Sequence, residues 1–172
     1  MCGIVGYIGN KPAAPILLEG LSRLEYRGYD SAGIAVVDNK SNVAISKSAG
    51  KLKELVNSLN GQLPSGNSGI GHTRWATHGI ANRKNAHPHL DCSKNIIIAH
   101  NGIVENYVEQ KNHLHQNGHT FTSDTDSEII AHLIESILAT GTNFIDAVRA
   151  TAGRLEGAQA VVTMYAQDPN LL

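Results

Sequence analysis

The sequence predicts an α+β fold in which helices pack on antiparallel β-sheets in separate layers. Short β-prone runs recur along the chain with turn residues between them. Two of these runs, 33–38 and 43–48, are joined by the turn-forming residues 39–42, which favours a hairpin. Strands and helices do not alternate in the regular order of a parallel βαβ series. With 172 residues, 41% of them apolar, the chain is long enough for one domain with a hydrophobic core.

The first half of the chain is predicted to contain two helices and four strands. Residues 2–8 form the first strand, which ends at the turn cluster Gly9–Pro12. A helix is predicted over 14–26, because Ile16, Leu17, Leu21 and Leu24 fall on one helical face. The hairpin follows, and after it we expect a short helix over 51–59 and a strand over 68–73.

The helix with the clearest start and stop signals is predicted in the second half of the chain. The segment Thr125-Asp126-Ser127-Glu128 has the form of a capping box, and apolar residues then recur at helical spacing as far as Leu138. Gly141 marks the end of this helix. Further helices are predicted over 105–116 and 144–152, and strands over 96–100 and 160–165.

Composition excludes several classes of function. The net charge is −1 and basic residues are scattered, so we expect no nucleic-acid partner. Apolar runs are too short to cross a membrane and no export signal is present, so we expect a cytoplasmic protein. The two cysteines, Cys2 and Cys92, lie far apart in the sequence, and Cys92 is interpreted as a loop or strand-end thiol without a role.

Cys2 is the strongest candidate for a chemical role. Removal of Met1 would place a thiol and a free α-amine on one residue at the start of the CGIVGYIG run. An α-amine titrates at a pKa of about 7.7–8, so it can accept the thiol proton near neutral pH. The alternative is that Cys2 is a small buried residue in an edge strand.

Three segments are more polar and richer in glycine than their neighbours. They are residues 27–33 (RGYDSAG), 71–79 (GHTRWATHG) and 100–102 (HNG). Each could be a simple turn, and Asn-Gly alone is a common turn dipeptide. The Arg74-Trp75 pair could likewise be a surface packing contact.

Metal and phosphate sites are not predicted. The close pairs His87/His89 and His113/His115 lack the spacing of three or four residues that places two ligands on one helical face. No Cys or acidic set completes such a site, so the prediction is that no metal binds. The glycine-rich segment 66–71 lacks the lysine and the spacing of a phosphate-binding loop.

Taken together with Cys2, the three segments resemble the glutaminase domain of the class II, N-terminal-nucleophile amidotransferases. The similarity runs in order from CGIVGYIG through HPH and HNGIVEN to SDTDSEIIAH, and so covers most of the chain. RGYDSAG and GHTRWATHG are most similar to the branch of this family that uses fructose 6-phosphate as acceptor. The resemblance implies an αββα sandwich of the N-terminal-nucleophile hydrolase type with antiparallel sheets.

The resemblance also implies a role for each matching residue. Cys2 would attack the glutamine carboxamide and form a thioester, with its own α-amine as base. Asn101 and the backbone N–H of Gly102 would stabilise the oxyanion. Arg74 would bind the α-carboxylate of glutamine and Asp126 its ammonium group. Thr77 and His78 would form the wall, Trp75 would control ammonia passage, and Arg27 would support either the N-terminal residue or its own turn.

The resemblance extends to the rest of the reaction. Glutamine hydrolysis, without any cofactor, would supply ammonia to a sugar-isomerase domain that makes glucosamine 6-phosphate in a homodimeric full-length protein. Residues 1–172 would be an incomplete glutaminase domain, because the chain ends directly after a predicted strand. Two alternatives stay open: a silent glutamine-binding or regulatory fragment, or the glutaminase half of another transferase of this class.

Overall fold

The computed structural model describes residues 2–75 and 79–172 as seven strands and five α-helices. The strands are β1 Gly3–Ile8, β2 Ser31–Val37, β3 Val43–Ala49, β4 Ser68–Arg74, β5 His89–Leu90, β6 Ile96–Gly102 and β7 Gln159–Tyr165. The helices are α1 Ala13–Leu24, α2 Leu52–Ser58, α3 Tyr107–Gln116, α4 Glu128–Leu138 and α5 Phe144–Ala152, with a 3₁₀ turn at Glu25–Arg27 after α1. Every strand and helix predicted from the sequence is present, and among the described residues only the two-residue strand β5 was not predicted.

The strands form two antiparallel sheets. The first has the order β1-β4-β2-β3, and the second has the order β5-β6-β7. The predicted hairpin is the β2–β3 pair, in which Val37 lies opposite Val43. Asp38 closes the hairpin turn, since its carboxylate accepts the backbone N–H groups of Lys40 and Asn42 at 2.8 and 2.9 Å.

Alternation of side chains along the central strands produces four layers. On β2, Ile34 and Val36 pack against α1 and α2, whereas Ala35 and Val37 face the second sheet. On β6, Ile96 and Ile98 pack against α4, and Ile97 faces the first sheet. Both central strands are covered on two sides, which explains their nearly continuous apolar sequences. The order of layers is helix, sheet, sheet, helix, as the αββα prediction required.

The start of α4 differs from the predicted capping box. The helix begins at Glu128, and the side chain of Ser127 makes no capping hydrogen bond. The Glu128 carboxylate instead reaches back and accepts the backbone N–H groups of Thr122 at 2.8 Å and Ser123 at 2.6 Å. The capping-box prediction is therefore wrong in register: Glu128 satisfies backbone donors of the preceding loop, and Thr125 lies in that loop.

None of the helices in the described residues combines the length and the apolar character that crossing a bilayer requires.

Candidate active site

Strand alternation brings three of the predicted site residues to the space between the two sheets. Successive side chains of a strand point to opposite faces, so residues two apart share a face. Ile70 of β4 lies in the core between the sheets, and Arg74 shares its face. Ile97 of β6 lies in the same core, and Asn101 shares its face. Cys2 lies directly before β1 and two residues before Ile4, which packs against the same core, so the alternation also places Cys2 between the sheets.

The thiol of Cys2 lies against the backbone of Trp75. The Trp75 N–H donates to Cys2 Sγ at 3.2 Å, and Sγ lies 3.6 Å from the Trp75 carbonyl oxygen. A backbone donor at this distance stabilises developing negative charge on sulfur. The indole of Trp75 is about half exposed and meets the ring of Tyr29 edge-on, with 5.4 Å between the ring centroids.

Asn101 connects Cys2 to the buried interior. Its side-chain amide donates from Nδ2 to the Cys2 carbonyl oxygen at 3.1 Å. Its Oδ1 lies 2.9 Å from Nε2 of His72, and because Oδ1 only accepts, His72 carries its proton on Nε2. These two contacts fix the plane of the amide with its donor end towards the N-terminal residue.

Gly102 occupies a backbone conformation that suits only glycine. Its φ is +146°, and a Cβ atom there would lie 2.5 Å from the carbonyl oxygen of Ala158. Gly28 is restricted in another way, since a Cβ would lie 2.8 Å from the backbone carbon of Arg74. The glycines of the HNG and RGYDSAG segments therefore permit close backbone approach around the site.

Arg74 and Asp126 are both buried and both bound to backbone groups. The Arg74 guanidinium donates to the carbonyl oxygens of Gly79 at 3.3 Å and Ile80 at 3.4 Å. Oδ2 of Asp126 accepts the backbone N–H of Val104 at 2.8 Å. Only 4% of Arg74 and 3% of Asp126 is exposed, so both charges lie in a medium that strengthens their interaction with a charged ligand.

One cavity of about 690 Å³ joins these residues. Seven of the residues singled out in the sequence line it: Cys2, Arg27, Arg74, Trp75, Asn101, Gly102 and Asp126. The other two, Thr77 and His78, lie outside the described residues. The cavity therefore brings a thiol, an amide donor, a guanidinium and a carboxylate into one space.

Arg27 contributes to the cavity from the 3₁₀ turn after α1. Its guanidinium carbon lies 5.7 Å from the centroid of the Tyr26 ring. Its Nε is buried and makes no hydrogen bond within the described part of the chain. Support of the N-terminal residue and support of the turn both remain predictions for this side chain.

Four buried histidines, three of which line the cavity, were not predicted as a group. The rings of His72 and His87 are stacked with 4.3 Å between centroids, and His89 meets His87 at 4.4 Å. His100 donates its backbone N–H to Nδ1 of His87 at 3.2 Å, and its own Nδ1 lies 2.8 Å from the hydroxyl of Ser127. The HPH and GHTR segments therefore supply packed, hydrogen-bonded rings. The alternation that places Arg74 between the sheets also predicts this position for His72.

Burial keeps these four imidazoles neutral. Desolvation lowers the pKa of His72 from 6.5 to about 4. It also lowers the pKa of His100, and it holds the pKa values of His87 and His89 well below the ordinary range. A charged ring would repel its stacked neighbours as well as losing its hydration.

These pKa shifts predict a loss of stability in acid. The unfolded chain protonates these four histidines around pH 6.5, whereas in the folded chain their pKa values are lower, about 4 for His72, so acid favours unfolding. We expect the free energy of unfolding, measured with urea in buffers that contain EDTA, to fall steadily between pH 7 and pH 5. Each histidine involved adds up to about 1.4 kcal/mol per pH unit to the slope. An unfolding free energy that stays constant over this range would contradict the neutral buried cluster.

A sequence profile described as "Glutamine amidotransferase domain" matches residues 36–151. The chain belongs to the glutamine amidotransferase domain family. The matched region includes Arg74, Asn101, Gly102 and Asp126, and it begins after Cys2 and Arg27. Family membership and the αββα architecture agree with the resemblance seen in the sequence.

Similar amidotransferases extend the comparison over the whole chain. The glutamine–fructose-6-phosphate aminotransferase (isomerizing) of Pyrococcus horikoshii is 56% identical over 172 residues, which are 100% of this chain and 29% of that protein. The enzyme of the same name from Thermococcus kodakarensis is 49% identical over 100% of this chain and 28% of its own length. The chain thus spans less than a third of the length of these relatives.

Solved amidotransferase structures share the fold of this domain. One is the glutamine phosphoribosylpyrophosphate amidotransferase of B. subtilis in complex with ADP and GMP, with a TM-score of 0.81 and 28% identity over 96% of this chain and 35% of that one. Another, described as the allosteric regulatory enzyme of purine biosynthesis, has a TM-score of 0.84 and 30% identity over 96% of this chain and 36% of that one. The two-sheet sandwich is therefore the architecture of N-terminal-nucleophile amidotransferases.

Proposed function

We propose that this chain hydrolyses L-glutamine to L-glutamate and ammonia. The observation that carries the proposal is the shared cavity, in which the Cys2 thiol lies together with the Asn101 amide, the Arg74 guanidinium and the Asp126 carboxylate. A thiol nucleophile with a positioned amide donor is suited to acyl transfer. A cation and an anion in the same cavity suit a zwitterionic amino acid.

The proposed reaction starts with the mature N-terminus. After loss of Met1, the Cys2 α-amine takes the thiol proton directly or through a water, and Sγ attacks the amide carbon of the glutamine side chain. Collapse of the tetrahedral intermediate breaks the C–N bond, and the leaving nitrogen receives a proton and departs as ammonia. Water then cleaves the γ-glutamyl thioester, which releases glutamate and restores the thiol.

Asn101 and Gly102 are proposed to stabilise the tetrahedral oxyanion. The Asn101 amide has two N–H hydrogens, one of which binds the Cys2 carbonyl oxygen, and the other would donate to the oxyanion. The backbone N–H of Gly102 would be the second donor. Because Asn101 is already held by Cys2 and His72, little reorganisation accompanies charge development.

Arg74 and Asp126 are proposed to recognise the backbone of the free amino acid. The planar guanidinium can bind the α-carboxylate with two parallel hydrogen bonds, and Asp126 has the charge to bind the ammonium group. Trp75, Thr77 and His78 would complete the wall and limit the escape of ammonia. Arg27, which lines the same cavity, would support the N-terminal residue.

The acceptor is proposed from the relatives. Their printed names indicate transfer to fructose 6-phosphate, which supports the supply of ammonia for glucosamine 6-phosphate synthesis. We propose that residues 1–172 act as a glutaminase unit together with a sugar-isomerase part, in a homodimeric cytoplasmic protein. The chain is 56% identical to an enzyme of the fructose 6-phosphate type but 28% identical to the phosphoribosylpyrophosphate amidotransferase of B. subtilis. This difference in identity favours the fructose 6-phosphate branch.

The test is glutamate release by the purified chain, compared between wild type and Asp126→Asn. The variant keeps an oxygen that can accept the Val104 N–H, but it loses the charge for the substrate ammonium. We expect the KM for L-glutamine to rise about 10- to 100-fold, the value of one charged hydrogen bond.

The matched control for this test is Asp124→Asn. Asp124 lies two residues away and forms an exposed pair with Lys84 at 2.8 Å. We expect its KM to match wild type, because an exposed pair contributes little. Wild-type protein that binds glutamine without releasing glutamate would contradict the proposed function and favour a silent binding module. Equal KM values for the two variants would contradict the role of Asp126.

A further inference from the structure

Four side chains outside the active-site cavity, ranging from the exposed Cys92 to the buried His132, bring their ligand atoms close together. They are Cys92, His119, His132 and Glu135, here called the Cys92 cluster, and their Sγ, nitrogen and carboxylate oxygen atoms all lie within 4.8 Å of one another. None of the four lines the active-site cavity. A separate surface groove of about 410 Å³, lined by Cys92, His119 and Glu135, opens onto the cluster.

Five of the six distances between these four ligand atoms are close to the edges of a tetrahedral zinc site. Zn–N bonds of about 2.05 Å and a Zn–S bond of about 2.3 Å place two nitrogens about 3.3 Å apart and sulfur about 3.6 Å from each nitrogen. Nδ1 of His119 and Nδ1 of His132 are 3.3 Å apart. Sγ of Cys92 lies 3.8 and 3.5 Å from these two atoms. Oε2 of Glu135 lies 3.0 and 3.4 Å from them.

Three separate chain segments bring the cluster together. Cys92 lies in the turn between β5 and β6, which Asp91 holds by accepting the Ile96 N–H at 2.8 Å. His119 follows the C-terminus of α3, where its N–H donates to Leu114 O and the N–H of Gly118, at φ +89°, donates to His115 O. This pair of bonds is a Schellman motif, which fixes the chain at His119.

The two remaining residues lie one turn apart on α4. His132 and Glu135 are three positions apart, so they share a helical face. His132 is 1% exposed and its ring packs on Phe121, with 4.5 Å between centroids, so its orientation is fixed by packing.

Backbone N–H groups hold the Glu135 carboxylate in place. The Glu135 carboxylate accepts the backbone N–H of Cys92 at 3.2 Å and of Ser93 at 3.1 Å. With a metal on Nδ1, His132 would carry its proton on Nε2, which is buried 3.8 Å from Oε1 of Glu128 and makes no hydrogen bond within the described residues. Backbone N–H donors that hold a ligand carboxylate in place are common around metal sites.

We propose that the Cys92 cluster is a structural zinc site. Cys92 Sγ, His119 Nδ1, His132 Nδ1 and Glu135 Oε2 are its four ligands. One thiolate with two imidazoles and a carboxylate suits borderline-soft Zn²⁺ rather than Mg²⁺ or Ca²⁺, which prefer oxygen ligands. Four protein ligands complete the tetrahedron and leave no position for a substrate. The bound ion links the β5–β6 turn and the α3–α4 connection to helix α4. The loop that precedes α4 contains Asp126.

The test is a zinc titration of metal-free protein in a Cys2→Ala background. The chain has two cysteines, so this background leaves Cys92 as its single thiol and removes the N-terminal thiol as a competing zinc ligand. We expect one equivalent of Zn²⁺ to bind with release of the thiol proton, and Co²⁺ to give a thiolate charge-transfer band with tetrahedral d–d bands. Saturation with Zn²⁺ should raise the melting temperature by about 10 °C, whereas Ca²⁺ should leave it unchanged.

Ligand variants decide whether the bound zinc lies in the cluster. Cys92→Ser should lower the Zn²⁺ affinity by about a hundredfold or more and abolish the cobalt charge-transfer band. Glu135→Gln gives a second variant of nearly unchanged shape, and circular dichroism checks that both are folded. The control is His113→Ala, which removes an exposed histidine of α3 outside the cluster and should bind zinc as the parent does.

Two results would overturn the proposal. One is the absence of a stoichiometric Zn²⁺ equivalent in the folded parent. The other is zinc affinity that is unchanged in both Cys92→Ser and Glu135→Gln. Because the titration requires no glutaminase activity, its result is independent of the proposed function.

Discussion

Cys2→Ala is expected to lower glutamate release by about 10⁴-fold or more, because the thioester cannot form without the thiol. The fold should persist, since Cys2 is only partly buried and its carbonyl oxygen, which receives the Asn101 amide, is retained. Glutamine should still raise the melting temperature of the variant, because Arg74 and Asp126 are unchanged. The measurements are single-turnover glutamate release and thermal unfolding with and without glutamine.

This combination of results separates a nucleophile from a structural cysteine. A structural role would lower the melting temperature together with activity, whereas a nucleophile removes activity alone. Retention of substantial hydrolysis in a folded Cys2→Ala protein would assign the reaction to another group.

Asn101→Ala is expected to reduce kcat by about 10²- to 10³-fold, which corresponds to about 3–4 kcal/mol of transition-state stabilisation. The effect combines loss of an oxyanion donor with loss of the contacts to the Cys2 carbonyl oxygen and His72. KM should change little, because the oxyanion exists only in the transition state. Steady-state kinetics with L-glutamine give both constants.

Asn112→Ala provides the matched control. Asn112 is exposed on α3 and lies outside the active-site cavity, so its removal should leave kcat and stability near wild type. If Asn101→Ala raised KM and left kcat unchanged, Asn101 would bind the substrate in the ground state and the oxyanion role would be wrong.

Most of the fold could be predicted from local sequence patterns. Apolar residues at helical spacing located α1 and α4, and turn residues located the β2–β3 hairpin. The exact start of α4 could not be predicted, because Glu128 satisfies Thr122 and Ser123 in the preceding loop and the helix begins after the apparent cap. Strand β5 has two residues, too few for a periodic signal.

The part of the candidate site that could be predicted consists of reactive and charged residues that lie in short sequence motifs. Cys2, Arg74, Asn101 and Asp126 were identified from such motifs, and one cavity contains all four. The Cys92 cluster could not be found in this way, because its ligands come from three distant segments. Only His132 and Glu135 have a helical spacing, and the prediction of no metal rested on closer pairs such as His113 and His115.

In the proposed reaction, Cys2 is an N-terminal nucleophile in a formed glutamine pocket. The most direct measurement is the intact mass of the purified chain before and after treatment with 6-diazo-5-oxo-L-norleucine, which alkylates an activated thiol with loss of N₂. We expect a chain that lacks Met1 and gains one adduct at Cys2, with glutamine protecting against labelling. A chain with a free N-terminal Cys2 that takes no label, or a label carried elsewhere, would contradict the role of Cys2 as the nucleophile.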